Sequence, residues 1–313
     1  MDSTPEPISI VFFGAGDVAA RSLQLLVKDF AIEAVVTKPR PAHHHGPWEV
    51  MELAEQLGLP VITAENKTAL TAAVQKAAFH SSVGVLIDFG IIVEQAVIDA
   101  FPKGIVNSHF SLLPQWRGAD PITFSILSGQ DKTGVSLMLL VAAMDEGPLL
   151  AIGEADIDLN AVTTPELTSN LIGLSGAMLA DILPKYVRGE IKTAVQEKVA
   201  ETVGYSPIPS YSRKLTKEDG ILDYHKPATQ LAREVRAYLG WPKSRTILGG
   251  HAVIITQAHA ADGSGEPGRV WQHDRVLGIY CTTGILMVDR LKPAGKQEMS
   301  IDAFLNGYGR DLS

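Results

Sequence analysis

The chain has 313 residues, 46% hydrophobic and 20% charged, a globular mix for about two domains of ~100–200 residues each rather than a disordered or fibrous polymer. A net charge of −8 speaks against a nucleic-acid partner, and the single cysteine, Cys281, excludes an intrachain disulfide and a Cys-based metal cluster. No uncharged apolar run reaches the ~20 residues of a membrane span, and residues 1–6 lack the pattern of a secretion leader, so a reduced, cytoplasmic protein with no membrane partner is expected.

The predicted elements begin with a β-α-β series. Residues 8–14 (ISIVFFG) read as a buried strand, continuous in apolar residues rather than alternating. Asp17 then opens a helix with Ala20, Leu23 and Val27 along one face. Further strands are expected at 32–37, 59–63, 83–88, 105–110 and 135–140, with helical patterns at 49–57 and 67–78. The alternation predicts an α/β domain, a Rossmann-like and mostly parallel sheet covered on both faces. A long helix is expected over 165–186, ending at Gly189, and a weakly patterned linker over 190–206. From 207 the style changes: a helix at 228–239, then short strands at 245–256, 268–273, 276–282 and 285–292 between Gly and Pro, as in a small β-barrel. The expected organisation is a 1–189 domain, a 190–206 linker and a 207–313 domain. Charge divides near the same point. Residues 1–204 hold 13 Lys+Arg and 24 Asp+Glu, and residues 205–313 hold 14 and 11. The second value is small enough to be chance or to mark a mildly basic module.

Residues 14–19 (GAGDVA) fit the dinucleotide fingerprint G-x-G-x-x-G/A after a strand and before a helix. The fingerprint also needs an acidic residue ending the second strand, and here that strand ends Val36-Thr37-Lys38. Lys38 and Arg40 could instead meet the 2′-phosphate of NADP, which leaves an NADP-linked oxidoreductase as one alternative. Asp17 at the helix N-terminus opposes it, since a phosphate would sit there. A tight turn is the plainer reading of these glycines.

A denser polar pattern lies in residues 104–147. Asn107 and His109 stand two apart on a predicted strand and so share a face. An amide donor beside an imidazole at a strand's carboxyl end suits acyl transfer, and that edge is where open α/β sheets bind ligands. Asp145 follows the apolar strand at 135–140 as a third polar candidate. Spacing alone also admits a structural histidine and a structural aspartate.

Taken together, Asn107-x-His109-x-Ser111-Leu112-Leu113-Pro114-x-x-Arg117-Gly118-x-x-Pro121, with Asp145 36 residues after the histidine, resembles the 10-formyltetrahydrofolate-dependent formyltransferases. The resemblance is strongest to the branch that formylates methionyl-tRNA. It extends to residues 11–23 (VFFGAGDVAARSL), 86–93 (LIDFGIIV), 213–219, 237–242 and 291–300. It implies a Rossmann-like catalytic domain and a C-terminal OB-like barrel that binds tRNA. The implied catalytic trio is Asn107, His109 and Asp145. The implied donor site involves Leu86, Ile87, Asp88, Phe89, Gly90 and Ile92, together with Ser111, Leu112, Leu113, Pro114, Arg117 and Gly118. Leu86, Ile87 and Ile92 could also be plain core, and Arg117-Gly118 could brace the loop rather than touch substrate. The co-substrate is 10-formyltetrahydrofolate, with no metal, and the partner is initiator methionyl-tRNA, gripped in part by Lys38, Arg40, Arg213 and Lys214. The sequence leaves oligomeric state open, a monomer included.

Two departures from that branch's pattern stand out. Residues 37–48 (TKPRPAHHHGPW) carry three histidines where more Arg and Lys are expected. These are largely neutral at pH 7 and weaken phosphate binding. A metal site at 43–45 is a remote alternative. The Asp145 loop reads AAMDEGP, so Glu146 places a second carboxylate beside Asp145. An acidic body and an altered loop keep a second acceptor in view, an amino sugar nucleotide. A tRNA-binding protein without catalysis is opposed by the intact trio.

Overall fold

The structure, a computed structural model, describes residues 7–41, 43, 46 and 48–312. His44 and His45 of the histidine run lie outside them. In chain order the elements are β1 (Ser9–Gly14), α1 (Asp17–Leu26), β2 (Ala31–Thr37), α2 (Glu49–Gln56), β3 (Val61–Thr63), α3 (Lys67–Ala77), β4 (Val83–Ile87), α4 (Gln95–Ile98), β5 (Ile105–His109), β6 (Arg117–Gly118), α5 (Pro121–Ser128), β7 (Lys132–Leu139), β8 (Leu149–Asp156), α6 (Thr164–Val187), α7 (Gln196–Val203), β9 (Tyr211–Ser212), α8 (Ala228–Ala237), β10 (Ser244–Leu248), β11 (His251–Ala261), β12 (Val270–His273), β13 (Val276–Tyr280), β14 (Ile285–Pro293), β15 (Met299–Ser300) and α9 (Ile301–Tyr308). They form two compact units, one of residues 1–121, 133–155 and 168–212, the other of residues 122–132, 156–167 and 213–313.

The first unit is built on a seven-stranded sheet in the order β3-β2-β1-β4-β5-β7-β8. β1 pairs parallel with β2 and β4, and β4 with β5, whereas β5 and β7 are antiparallel. Every residue of β4 and β5 is buried: both faces of the sheet are covered, which is why β1 and β4 read as continuous apolar runs, while β5 carries its polar Asn107, Ser108 and His109 into the interior. On one face Phe13 packs edge-on to Phe89 (5.7 Å between ring centres) and Phe101 (5.8 Å), among Val11, Val36, Leu70, Val97 and Ile105. On α6, Leu171, Ser175, Leu179 and Leu183 are buried at four-residue steps, the stripe of a helix on a sheet.

The second unit carries a six-stranded, all-antiparallel sheet, β10-β11-β14-β13-β12 with β15 on β14. Its core joins Leu231 and Val235 of α8 and Phe304 of α9 to Val253, Ile255, Leu277, Leu286 and Leu291 of the sheet. The single strand expected at 245–256 is two. Gly249 and Gly250, at φ 54° and 78°, turn the chain so that Leu248 faces His251, a conformation that favours glycine.

The sequence reading missed α5, β8 and α9. It also left 190–206 without structure, whereas α7 occupies eight of those residues and groups with the first unit through Ser212.

Phe304 is fully buried and stacks on Tyr308 at 4.9 Å. Phe304→Ala is expected to destabilise the second unit by about 3–5 kcal/mol, the cost of a large cavity. Urea unfolding followed by circular dichroism measures it, and a loss below about 1 kcal/mol would contradict this packing.

Candidate active site

The site forms at the carboxyl edge of the parallel strands. Along β5 the side chains alternate. Asn107 and His109 point to one face, while Ser108 turns to the other and shares a hydrogen bond with Ser175 (2.7 Å). β5 is paired on both sides, Asn107 facing Leu86 of β4 and Met138 of β7. The two side chains therefore issue from a rigid central strand, and they are only 7% and 6% exposed. Asp145 arrives from the loop between β7 and β8.

The Asp145 carboxylate is held from several directions. Its Oδ2 accepts from the Gly118 amide at 2.8 Å. Its Oδ1 accepts from Asn107 Nδ2 at 3.4 Å and faces His109 Nδ1 at 3.8 Å. On the far side of the imidazole, Nε2 lies 2.9 Å from the Trp116 carbonyl. A carbonyl can only accept, so with this ring orientation Nε2 carries a hydrogen, and Nδ1 is the nitrogen that exchanges a proton toward Asp145. The 3.8 Å gap exceeds a direct hydrogen bond and suits a bridging water or an incoming amine.

Backbone strain gathers here. Asp88, Trp116 and Asp145 have φ of 47°, 56° and 53°, a left-handed region that costs an L-residue of order 1 kcal/mol or more. Gly118 (φ 112°) could not be otherwise, since a Cβ there would lie 2.4 Å from the Ser212 carbonyl oxygen. That close approach lets β6 pair with β9 and turns the Gly118 amide toward Asp145.

The remaining candidate residues divide by accessibility. Leu86, Ile87 and Phe89 are buried, with Leu86 and Phe89 in the aromatic core. Ser111, Leu112, Leu113 and Pro114 are buried as well. Ser111 Oγ donates to the Gln115 carbonyl (2.6 Å), and Ser136 Oγ bridges the segment by donating to the Ser111 carbonyl and accepting from the Leu113 amide. These side chains shape the loop from beneath. Asp88, Gly90 and Ile92 are exposed, Ile92 at 69%. Arg117 is buried, its guanidinium against Gln196 Oε1 (2.8 and 3.2 Å), Glu197 (3.2 Å) and Glu146 (3.6 Å). Glu146 thus faces a cation next to Asp145. Gln196, which the sequence reading did not single out, is 2% exposed and touches both Arg117 and the Asp145 loop. A lone glutamine in a polar octapeptide carries no signal that could have found it.

Of the basic residues, Arg40 is ion-paired with Glu52, which also accepts from the Trp48 amide. Arg213 makes two hydrogen bonds to Asp219, at 2.5 and 2.8 Å. Lys38 runs past Gly90, where a Cβ would meet its Nζ at 2.7 Å. Lys214 is exposed. Among the described residues no three His, Cys, Asp or Glu side chains stand close enough to share a metal ion.

Asp88 is exposed yet walled in. Loss of solvent around it pushes its carboxyl up to about 6, Lys38 opposing and Asp120 and Asp17 reinforcing the rise. A carboxyl raised on folding weakens stability wherever it is ionised, so the penalty grows from about pH 4 to about pH 6 and stays above it. Asp88→Asn is expected to stabilise the protein near pH 7.5, by no more than about 1 kcal/mol because water still reaches the group, and to have no effect near pH 3.5. Urea unfolding at both pH values tests this. A gain that grew on acidification would contradict the sign.

Comparison with known proteins gives the family. Residues 27–181 match the formyl transferase family, and residues 214–309 match the formyl transferase C-terminal domain. A methionyl-tRNA formyltransferase from Pelobacter propionicus is 33% identical over 96% of this chain and 93% of its own length. One from Chloroflexus aggregans is 36% identical over 95% and 96%. Among solved structures, an N-formyltransferase from Helicobacter canadensis in complex with folinic acid and dTDP-3-aminofucose superposes with a TM-score of 0.68. It shares 16% identity and covers 93% of this chain and all of its own, a likeness of fold.

Proposed function

The chain belongs to the methionyl-tRNA formyltransferases of the formyl transferase family, and we propose that it carries the formyl group of 10-formyltetrahydrofolate to the amino group of methionine on initiator tRNA. The observation that carries this reading is the meeting of Asn107, His109 and Asp145 around one point at the sheet's carboxyl edge.

In this reading the neutral amine attacks the formyl carbon and the carbonyl oxygen becomes an oxyanion. Asn107 holds Asp145 only through a 3.4 Å bond, so its amide can turn a hydrogen toward that oxygen. Donors already oriented toward developing charge contribute more to such catalysis than any other single effect. The proton leaving the amine passes to the His109–Asp145 pair. As the C–N10 bond breaks, the pair returns a proton to N10, giving formyl-methionyl-tRNA and tetrahydrofolate. An imidazole nitrogen can both take up and release a proton and suits both transfers. The Trp116 carbonyl keeps the ring in one orientation.

The donor's ring would lie along the backbone of residues 88–92, where Gly90 and Ile92 face solvent and Ile92 offers an apolar surface. Residues 111–114 would support that surface from below. For tRNA, Lys38 and Lys214 are the better placed of the four cations, because Arg40 and Arg213 already hold carboxylates. In the second unit Trp241 is 56% exposed and can stack on a base. Translation initiation places this work in the cytoplasm.

Two other readings are weaker. In the loop over residues 14–19, the Ala15 amide donates to the Asp88 carbonyl (2.9 Å), and Gly16 faces the Asp88 carboxylate, a poor bed for a pyrophosphate. An amino sugar nucleotide acceptor rests on the acidic body, the altered loop at residues 37–48 and a likeness of fold.

Incubation with 10-formyltetrahydrofolate and either charged initiator tRNA or a dTDP-amino sugar decides the acceptor. Turnover with the sugar alone would overturn the proposal. His109→Ala is expected to cut turnover by about 10²–10⁴-fold, the usual worth of a general acid–base, while equilibrium folate binding persists. A near-normal rate would refute the role given to His109. The affinity for tRNA should depend shallowly on salt, and Lys214→Ala should reduce the slope of log K against log salt by about one. An unchanged slope would remove Lys214 from the tRNA contact.

A further inference from the structure

We infer that Gln196, at the start of α7, is a positioning residue for formyl transfer: its carboxamide ties the Asp145 turn to Arg117 and so sets the angle at which the Asp145 carboxylate meets His109. The inference rests on the formyl-transfer reading of Asn107, His109 and Asp145.

The carboxamide is saturated. Nε2 donates to the Asp145 carbonyl and to the Gly147 carbonyl, each at 2.8 Å. Oε1 accepts from Arg117 Nε at 3.2 Å and Nη2 at 2.8 Å. The residue following Arg117 is Gly118, whose amide holds the other end of Asp145 through Oδ2. The contacts therefore close a ring. It runs from the Asp145 carboxylate to the Gly118 amide, back through Arg117 to Gln196, and from Gln196 to the Asp145 backbone. A planar amide with both hydrogens and its oxygen engaged has one orientation.

Gln196 is itself fixed. Leu149 and Ala194 exchange a pair of backbone hydrogen bonds at 2.8 Å, which pins the chain two residues before it. One turn later Val199 packs on the cluster of Leu113, Met138 and Leu149. The two carbonyls it holds flank Glu146 in a turn where Asp145 sits at φ 53°. Such a turn relaxes when its carbonyls lose their donors. Relaxation swings the carboxylate away from a ring whose far nitrogen is already committed to Trp116.

Two substitutions separate positioning from bulk stability. Gln196→Met keeps the volume and removes every polar contact. Gln196→Glu keeps the acceptor for Arg117 and removes both donors, and it decides the matter if the first variant fails to fold. Both are expected to lower kcat by roughly 10²-fold, the scale of a small misplacement in an active site, with KM for folate and tRNA unchanged. In an Asp145→Asn background, Gln196→Met should cost nothing further, because the two act through one carboxylate. In 15N-histidine-labelled protein, the His109 ring signals should shift or broaden in both variants.

A folded variant with normal kcat, or a full additional loss in the Asp145→Asn background, would overturn the inference. If the wild type fails to formylate methionyl-tRNA, the functional reading fails while the ring signals still judge Gln196. Unperturbed His109 signals would then refute it.

Discussion

A carboxylate that is partly withdrawn from water must be given hydrogen bonds, and the Asp145 carboxylate receives them from the Gly118 amide and the Asn107 side chain while facing the His109 ring. Those partners come from separate segments: strand β5, the short β6–β9 pairing, and the loop after β7. None of these segments holds its position alone. β5 is fixed by β4 and β7, the Gly118 amide by its close approach to Ser212, and the Asp145 turn by Gln196. Packing of the first unit thus assembles the site. The left-handed conformations at Asp88, Trp116 and Asp145 follow from it, because local preference is overruled where several packed partners agree on one arrangement.

Two arginines of the first unit are engaged by internal pairing. Arg117 is buried and engaged by Gln196, Glu197 and Glu146, so its role is architectural, and Glu146 is turned toward a cation rather than left against Asp145. Arg40 is paired with Glu52. Near the loop over residues 14–16, Asp88 feels Asp17 and Asp120 as well as Lys38. This edge of the sheet is therefore poorly suited to gather phosphates. That agrees with the shallow salt dependence proposed for tRNA binding.

The central strands of the first unit were legible because burial on both faces leaves no alternation to misread: residues 8–14 and 83–88 anticipate β1 and β4 closely, whereas the half-exposed edge strand β8 escaped. The antiparallel strands of the second unit were harder. Residues 245–256 look like one apolar run unless Gly249-Gly250 is taken as a turn. Helix α5 is short, mixes Thr and Ser with its apolar residues, and opens at Pro121. Helix α7 is short and polar. Its importance lies in one glutamine that only a neighbouring backbone makes meaningful.

Chemical identity was carried by the primary structure. Asn107 and His109 share a face by the two-residue period of any strand, and the motif through Gly118 and on to Asp145 indicates the family whichever way the loops run. Contact was not. Asp145 stands 36 positions after His109, and only the completed sheet brings the two together. Whether Arg117 meets substrate or a buried glutamine, and whether Arg213 is available or bound to Asp219, depends on neighbours distant in the chain. A side chain's partners are set by the packing of the whole unit, and no local pattern encodes that packing.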